Sequence, residues 1–198
     1  LSGGVYYFSR NWKPIVEEKL QEVIKNSTDS LYKLNYDRLD LNVALGNVTL
    51  ENASLVPDSA VYAQMEAVQK APDNLYDIRL KALKIRRFGI IDILTNKKLT
   101  IKSISLENPE IHLTNKYHAY NDTVVSESKK TLYESVKDVL QSVNVRDIMM
   151  ENVSFKYSKL SEGKSSDFAV KDIKISVHDV LIDETSLADT SRLMYTKM

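Results

Sequence analysis

Apolar and polar residues alternate along much of this chain, and the alternation shifts by one residue at recurring places. In the clearest stretch, Leu99 to Leu113, alternation is interrupted between Ile101 and Ile104 and again after Leu106. Alternation with period two predicts a strand with one apolar and one polar face. A one-residue shift moves the apolar side chains to the other face unless a bulge absorbs it. The stretch therefore predicts a long strand that is bulged or turns a corner.

The same spacing of apolar residues recurs over residues 143–157 and 168–182, and in a shorter form over 43–55. At 43% hydrophobic residues, about one full match is expected by chance, and three full matches and one partial match are present. Asn52, Asn108 and Asn152 fill the same position in three of the four copies. The repetition indicates a wall of similar long strands more than a compact catalytic domain.

Two amphipathic helices interrupt the strand pattern, at about residues 12–26 and 129–141. The first has Pro14 near its start, where a missing N–H is tolerated, and an apolar stripe through Val16, Leu20 and Val23. Strands are predicted at 31–56 (with a slip at 37–38 and a turn at 45–47), 75–87, 98–106, 109–115, 143–150, 152–158 and 167–183. Residues 159–166 read as a loop, 60–68 fit a helix or a strand, and 89–94 remain unassigned.

This order of elements predicts an α+β fold with a mainly antiparallel, strongly curved β-sheet of long bulged strands and the two helices. The slips at 37–38, 102–103, 146–147 and 171–172 fit either bulges or sheet-to-sheet corners. Bulges would curve the sheet into a groove, whereas corners would fold it into a closed sandwich. We expect residues 12–198 to form one domain and to be part of a longer protein.

The first eleven residues are typical of the end of a membrane-spanning helix. Glycines are followed by Tyr6, Tyr7 and Phe8, which resemble an interfacial aromatic belt, and Arg10 would mark emergence into water. Because a span needs about 20 apolar residues, residues 1–11 could be only the end of an anchor. The alternative is an ordinary apolar lead-in to a soluble helix.

Composition excludes several classes of function. Lys plus Arg equal Asp plus Glu at 27 each, which argues against nucleic acid as a partner. No cysteine is present, so disulfides, thiol catalysis and zinc–thiolate sites are excluded. We find no phosphate-binding glycine loop, metalloprotease motif or nucleophile elbow.

The remaining polar residues give weak signals for chemistry. His112, His118 and His178 lack the spacing of a local metal site, so we predict no metal and no cofactor. The carboxylate pairs Asp37 with Asp40, and Glu107 with Glu110, read as solvated groups rather than an acid–base pair. We therefore expect a protein that is not an enzyme; a hydrolase assembled only by the fold is the least favoured alternative.

The densest basic cluster lies on one predicted strand. Its members Arg79, Lys81, Lys84 and Arg86 alternate with Ile78, Leu80, Leu83 and Ile85. These cations are candidates for contact with anionic lipid headgroups. Their spacing equally fits the wet face of an ordinary strand.

Four segments of the chain resemble the amino-terminal region of AsmA-like proteins. They are Trp12-Lys-Pro with the helix after it, Tyr32-Lys-Leu-Asn-Tyr-Asp-Arg-Leu-Asp-Leu41, Gly46-Asn-Val-Thr-Leu-Glu-Asn-Ala-Ser-Leu-Val-Pro-Asp58, and Leu99-Thr-Ile-Lys-Ser-Ile-Ser-Leu-Glu-Asn-Pro-Glu-Ile-His-Leu113. The resemblance covers residues 1 to about 115. It implies an inner-membrane anchor, a periplasmic location in a Gram-negative envelope, and a curved sheet with an apolar groove. It also implies a role in outer-membrane biogenesis and in accommodating or moving phospholipid.

An apolar, concave sheet face would let acyl chains leave water, since each buried methylene contributes about 0.8 kcal/mol. The candidate groove residues are Leu39, Leu41, Val48, Leu50, Ile101, Ile104 and Leu106. The same residues would be ordinary core if the two helices cover that face. Two hypotheses thus remain: a membrane-anchored protein that binds or transfers lipid, and a closed-core structural or protein-interaction module of the envelope.

Overall fold

The computed structural model of the chain describes residues 14, 16–18, 20–42, 44–122, 133, 137, 139–161 and 164–187. This part of the chain is mostly one mixed sheet of eight strands, with short helices between them. The predicted α+β class is confirmed at this level. All of the described strands lie in the same sheet, so none of the sequence slips carries a described strand into a second sheet.

The strands are β1 (Tyr32–Asn35), β2 (Arg38–Asn42), β3 (Asn47–Pro57), β4 (Asn74–Phe88), β5 (Lys98–Glu107), β6 (Glu110–Lys116), β7 (Ser142–Ser161) and β8 (Lys164–Ile182). Residues 14, 16–18 and 20–27 are helical and are called α1. The other helices are α2 (Ser59–Ala67) and α3 (Ile90–Asn96), with 3₁₀ turns at Ala119–Asp122 and Glu184–Leu187.

The sheet has six strand positions, because two of the positions are each shared by a pair of short strands. β1 and β2 both pair with β3, and β5 and β6 both pair with β4 on one side and β7 on the other. β8 pairs with β7 at the far side. Pairing is antiparallel throughout except that β7 runs parallel to β5 and β6. The sheet is therefore mixed.

Most strand positions predicted from alternation agree with the structure, and the loop at 159–166 is wrong. β7 continues to Ser161 and β8 begins at Lys164, so the strands occupy most of that predicted loop. The segments left open are helical: α2 covers most of 60–68, and α3 covers most of 89–94. Asp58 caps α2, since its Oδ1 accepts hydrogen bonds from the backbone N–H of Ala60 (2.9 Å) and Val61 (3.3 Å).

Helix α1 confirms the first predicted helix over the residues that are described. Its last turn is closed by side chains, since Thr28 Oγ1 donates to the carbonyl of Ile24 at 2.7 Å and Ser27 Oγ donates to that of Val23 at 2.7 Å. Most of the second predicted helix, 129–141, and the predicted anchor segment, 1–11, lie outside the described residues.

Gly46 sets the hairpin between β2 and β3 against the end of β4. Its φ of +60° is left-handed, and an added Cβ would lie 2.3 Å from the carbonyl oxygen of Phe88. The backbone N–H of Phe88 donates to the Gly46 carbonyl at 2.8 Å. Only glycine combines this backbone with so close an approach.

Candidate functional site

One face of the sheet carries apolar side chains across all six strand positions. Cross-strand partners project to the same side of a sheet, so the strand register identifies this face. One row comprises Leu41, Val48, Ile85, Ile104, Ile148 and Val177; the next comprises Leu39, Leu50, Leu83, Leu106, Met150 and Ile175. A third comprises Leu34, Leu55, Ile78, Ile111, Phe155 and Val170. We call this surface the apolar face and the opposite one the polar face.

Left-handed residues lie at four interruptions of the alternation, whereas none lies at the slips 102–103 and 146–147. Asn52, Asn108, Asn152 and Asp172 have φ between +49° and +58°. They interrupt alternation between Leu50 and Ala53, Leu106 and Pro109, Met150 and Val153, and Val170 and Ile173. Asparagine and aspartate adopt this backbone more readily than other non-glycine residues. The slip therefore changes the phase of the sequence while the apolar side chains remain on one side.

These left-handed residues form a row across the sheet. Asn108 and Asn152 lie opposite each other between β5–β6 and β7, and Asn152 Nδ2 donates to Asn108 Oδ1 at 3.1 Å. Asn52 Nδ2 donates to Asp37 Oδ2 at 2.7 Å, and Asp37 separates β1 from β2. On the far side, the register between β7 and β8 shifts on both sides of Val153, next to Asp172. The row thus has left-handed residues in β3, between β5 and β6, in β7 and in β8, and β4 crosses it without one.

Helix α1 covers one end of the apolar face. Val16 packs against the cluster of Leu39, Leu50 and Ala53, which are 3–6% exposed. Tyr36, Val48, Leu80 and Leu83 complete this cluster. The part of the face around Leu39, Leu50 and Ala53 is therefore core that α1 helps to cover.

The apolar face is far more exposed at β8. Phe168 is 59% exposed, and Val170, Ile175 and Val177 are 36–37% exposed. Five spacings of about 4.8 Å make the face about 24 Å wide. Soluble monomers rarely leave a contiguous apolar surface of more than a few hundred Å² in water. The β8 side of this face is the strongest candidate for a binding surface.

The polar face is held by ion pairs and hydrogen bonds between neighbouring strands. Lys84 pairs with Glu107, Arg38 with Glu51 (3.2 Å), Lys156 with Asp167 (2.9 Å), Lys174 with Glu151 (3.3 Å) and His178 with Asp147 (2.8 Å). His112 Nε2 lies 2.9 Å from Oγ of the buried Ser158. Hydrogen bonds from Lys156, Ser165 and Ser158 lower the pKa of Asp167 to about 2.

A shallow hollow of about 460 Å³ lies on the polar face, where Asp77, Glu110, His112, Lys156 and Lys171 meet. Its charges are of both signs. Arg79 donates to both oxygens of Asp77 at 2.9 and 3.0 Å, and Lys156 pairs with Asp167. Glu110 and Lys171 add one charge of each sign, so the lining gives this hollow no strong preference for an anion.

A second polar cluster joins α2 to the segment after β6. His118 Nε2 lies 2.9 Å from the Tyr62 hydroxyl and 3.5 Å from Glu66 Oε1, and its ring stacks on Tyr120. Burial and the nearby Glu66 carboxylate raise the pKa of Tyr62 to about 12. These contacts fasten this segment to α2.

The structure places six of the seven predicted groove residues in rows of the apolar face, whereas Ile101 pairs with Phe88 and Val145 beyond the slip at 102–103. Leu39 and Leu50 are buried under α1, and Ile101 is also buried. The other four, Leu41, Val48, Ile104 and Leu106, are half-buried. The face extends well beyond these seven, over β7 and β8, and its own most exposed residues lie on β8.

The predicted headgroup cations are separated from that face. Lys84, Arg86 and Arg79 each lie in a row of polar residues across the sheet. Lys84 is in register with Thr49 and Ser105, and Arg86 is in register with Ser103. Arg79 is in register with Ser54 and Glu110. Lys81 lies on the slip row, next to Asn52 and Asn108 in a groove beside Arg79. The structure does not bring the cations and the apolar candidates together on one surface.

The residues considered for chemistry form no metal centre within the described ranges. The His, Asp and Glu side chains described do not group as a metal site would require. Asp37 accepts from Asn52, Asp40 pairs with Arg38 at 2.7 Å, and Glu107 pairs with Lys84. Within the same ranges, no helix has the length and hydropathy needed to cross a membrane.

Comparison with known proteins adds no family to these observations. No protein-family model matches the chain, and no curated protein matches it. The geometry of the apolar face is therefore the basis for a functional proposal.

Proposed function

We propose that this chain is a non-enzymatic, membrane-anchored protein of the cell envelope whose apolar face binds the acyl chains of phospholipids. The resemblance to AsmA-like proteins supplies the periplasmic location, the inner-membrane anchor and the link to outer-membrane biogenesis. The observation that carries the proposal is the set of rows of six apolar residues, whose β8 end is exposed.

The energetics favour a ligand with long apolar chains. A methylene transferred from water to the face gains about 0.8 kcal/mol, so ten methylenes gain about 8 kcal/mol before the cost of ordering the chain. The rows contain almost no polar side chains, so they offer a ligand few hydrogen-bond partners. An acyl chain needs none and therefore suits this surface. A polar or sugar ligand would leave its hydrogen-bonding groups unsatisfied there.

The groove requires the sheet to curve around the apolar face, and the row of left-handed residues supports that shape. A register shift bends a strand and increases its twist locally. The register shifts between β7 and β8 beside Asp172, on the same line across the sheet as Asn52, Asn108 and Asn152. We propose that these long bulged strands curve along this line with the apolar face concave.

Headgroups would remain outside the apolar face. The cations Arg79 and Lys84 lie on the other side of the sheet and are engaged with Asp77 and Glu107. A lipid whose chains lie on the apolar face cannot also contact them. In this proposal the headgroup stays in water at the rim of the sheet, and binding depends little on its charge.

A closed-core interaction module is the second candidate, and the packing of Val16 from α1 on Leu39 and Leu50 favours it for the β1–β4 end. The two functions differ in what the β8 end does. If protein covers the β8 end, that end would carry no lipid. If the β8 end is open, it would carry lipid.

The test is native mass spectrometry with solvent extraction of the chain purified from bacterial membranes in mild detergent. We expect co-purifying phospholipid that is lost in Val170→Asp, an exposed position on the apolar face, and kept in Ala169→Asp, its neighbour on the polar face. Circular dichroism serves to check that both variants fold. Lipid-free protein, or equal loss in both variants, would overturn the proposal and favour the interaction module.

A further inference from the structure

Strand β8 is a long edge strand. It has 19 residues and, among the described strands, pairs with β7 alone. Phe168, Val170, Ile175 and Val177 are at least 36% exposed along it. An exposed apolar edge of this length is a template for pairing with another strand.

The apolar residues of β8 are spaced symmetrically about Ile175. Apart from Ala169 and Leu181 on the other side of the strand, they are Phe168, Val170, Ile173, Ile175, Val177, Val180 and Ile182. The intervals are two, three, two, two, three and two, which read the same in both directions. The corresponding residues of β7, from Val143 to Tyr157, have intervals of two, three, two, three, two and two, which do not. The symmetry therefore belongs to the edge strand and is not a property of the repeat.

We propose that β8 pairs antiparallel with β8 of a second copy of this chain, about a two-fold axis at Ile175. In an isologous contact, if residue i of one copy faces residue j of the other, then residue j of the first copy faces residue i of the second. A pattern that is symmetric about the two-fold axis meets this requirement. Ile175 then faces Ile175 of the other copy. Ile173 faces Val177, Val170 faces Val180, and Phe168 faces Ile182.

The slips also match in this register. Residues 171–172 of one copy face residues 178–179 of the other, so two residues oppose two at each slip. All seven apolar positions consequently stay on the same side along the whole pair. A shift by one residue would set apolar positions against the polar side chains of the other copy.

Charge complementarity supports the same register. Lys171 of one copy faces Asp179 of the other, and the symmetry makes this pair twice. In the described part of the chain, neither residue has an ion pair with another residue. Opposite charges across antiparallel strands stabilise pairing, whereas like charges disfavour it.

The dimer would join the apolar faces of the two copies into a single face that is twelve strand positions wide. The ends covered by α1 would lie farthest apart. This inference stands on the edge strand and does not depend on the lipid proposal. A dimer without lipid, or lipid on a monomer, would separate the two.

Disulfide crosslinking tests the proposal, because the chain has no cysteine of its own. Ile175→Cys should form a linked dimer on mild oxidation, since residues facing each other across paired strands lie within disulfide reach. Phe168→Cys is the matched control on the same strand and face. Its two copies would lie about 46 Å apart, so we expect at least about tenfold less linked dimer.

The register is tested by mixing two variants. Val170→Cys and Val180→Cys should crosslink with each other and not with themselves. Sedimentation of the unmodified chain at the same concentration should show a dimer. A monomer in sedimentation, or equal crosslinking of Ile175→Cys and Phe168→Cys, would overturn the proposal. Self-crosslinking of Val170→Cys would replace it with a different register.

Discussion

Asn152 donates a hydrogen bond from Nδ2 to Oδ1 of Asn108 at 3.1 Å, and both residues have left-handed backbone, with φ of +55° and +49°. The pair lies where β5 ends and β6 begins opposite β7. The backbone continues the pairing around it, since the N–H of Asn108 donates to the Glu151 carbonyl at 3.1 Å. The two side-chain amides thus link the positions at which the alternation of apolar and polar residues shifts in both strands.

Replacing Asn152 separates the effect of backbone from that of side chain. Asn152→Val should destabilise the fold by about 2 kcal/mol, because a β-branched residue tolerates positive φ poorly and the hydrogen bond is lost. Asn152→Gly loses the hydrogen bond alone and should cost about 1 kcal/mol or less. Urea denaturation measures both. Equal stability of the two variants would show that the left-handed backbone is unimportant.

Gly46 should tolerate no side chain. Gly46→Ala would place a Cβ 2.3 Å from the backbone oxygen of Phe88, at a φ of +60°, and should cost more than about 2 kcal/mol. Gly89→Ala is the matched control, since its Cβ would first meet the Asp92 side chain at 3.4 Å. The thermal midpoint should fall markedly in the first variant and little in the second. A harmless Gly46→Ala would mean that this hairpin does not approach β4 as described.

The buried end of the apolar face should respond to truncation as a core does. Leu50→Ala removes side-chain volume from the cluster with Leu39 and Ala53 and should cost about 2–5 kcal/mol. Leu45 is 63% exposed, and Leu45→Ala should change stability by about 0.5 kcal/mol or less. Denaturant titration of both variants compares them directly. A small effect at Leu50 would contradict the packing of α1 on this end.

Asp167 should titrate well below an ordinary aspartate. Hydrogen bonds, first from Lys156, hold its pKa at about 2 in the folded chain, against 3.8 ordinarily. Because the folded pKa is lowered, its stabilising effect is complete above about pH 4 and is lost as the pH falls through 2. Carbon-detected NMR titration should give a pKa of about 2, and Lys156→Met should raise it. An unchanged pKa in Lys156→Met would remove Lys156 as the main cause.

Alternation predicted the apolar face because each strand presents one side to it. Leu50, Leu83 and Leu106 could be assigned to a common face once their strands were recognised, and the structure puts them in one row. Asn52, Asn108 and Asn152 were visible as a recurring position. Their left-handed backbone was not, since the same residues also serve in ordinary turns.

Other features depend on tertiary context that the sequence does not contain. The parallel pairing of β7 with β5 depends on where the chain re-enters the sheet after β6, which local periodicity does not determine. Residues 159–166 look like a loop because polar residues fill both sides of exposed strands there. α3 is too short for its apolar run to distinguish a helix from a buried strand.

The central claim is that acyl chains contact the apolar face, and fluorescence quenching by spin-labelled phospholipid tests it most directly. Two variants each carry a fluorophore on a single cysteine, one at Val170 on the apolar face and one at the adjacent Ala169 on the polar face. With doxyl groups in the acyl chains, the label at position 170 should be quenched strongly and the label at 169 weakly. Equal quenching at the two positions, or none at 170 while lipid is bound, would contradict the account.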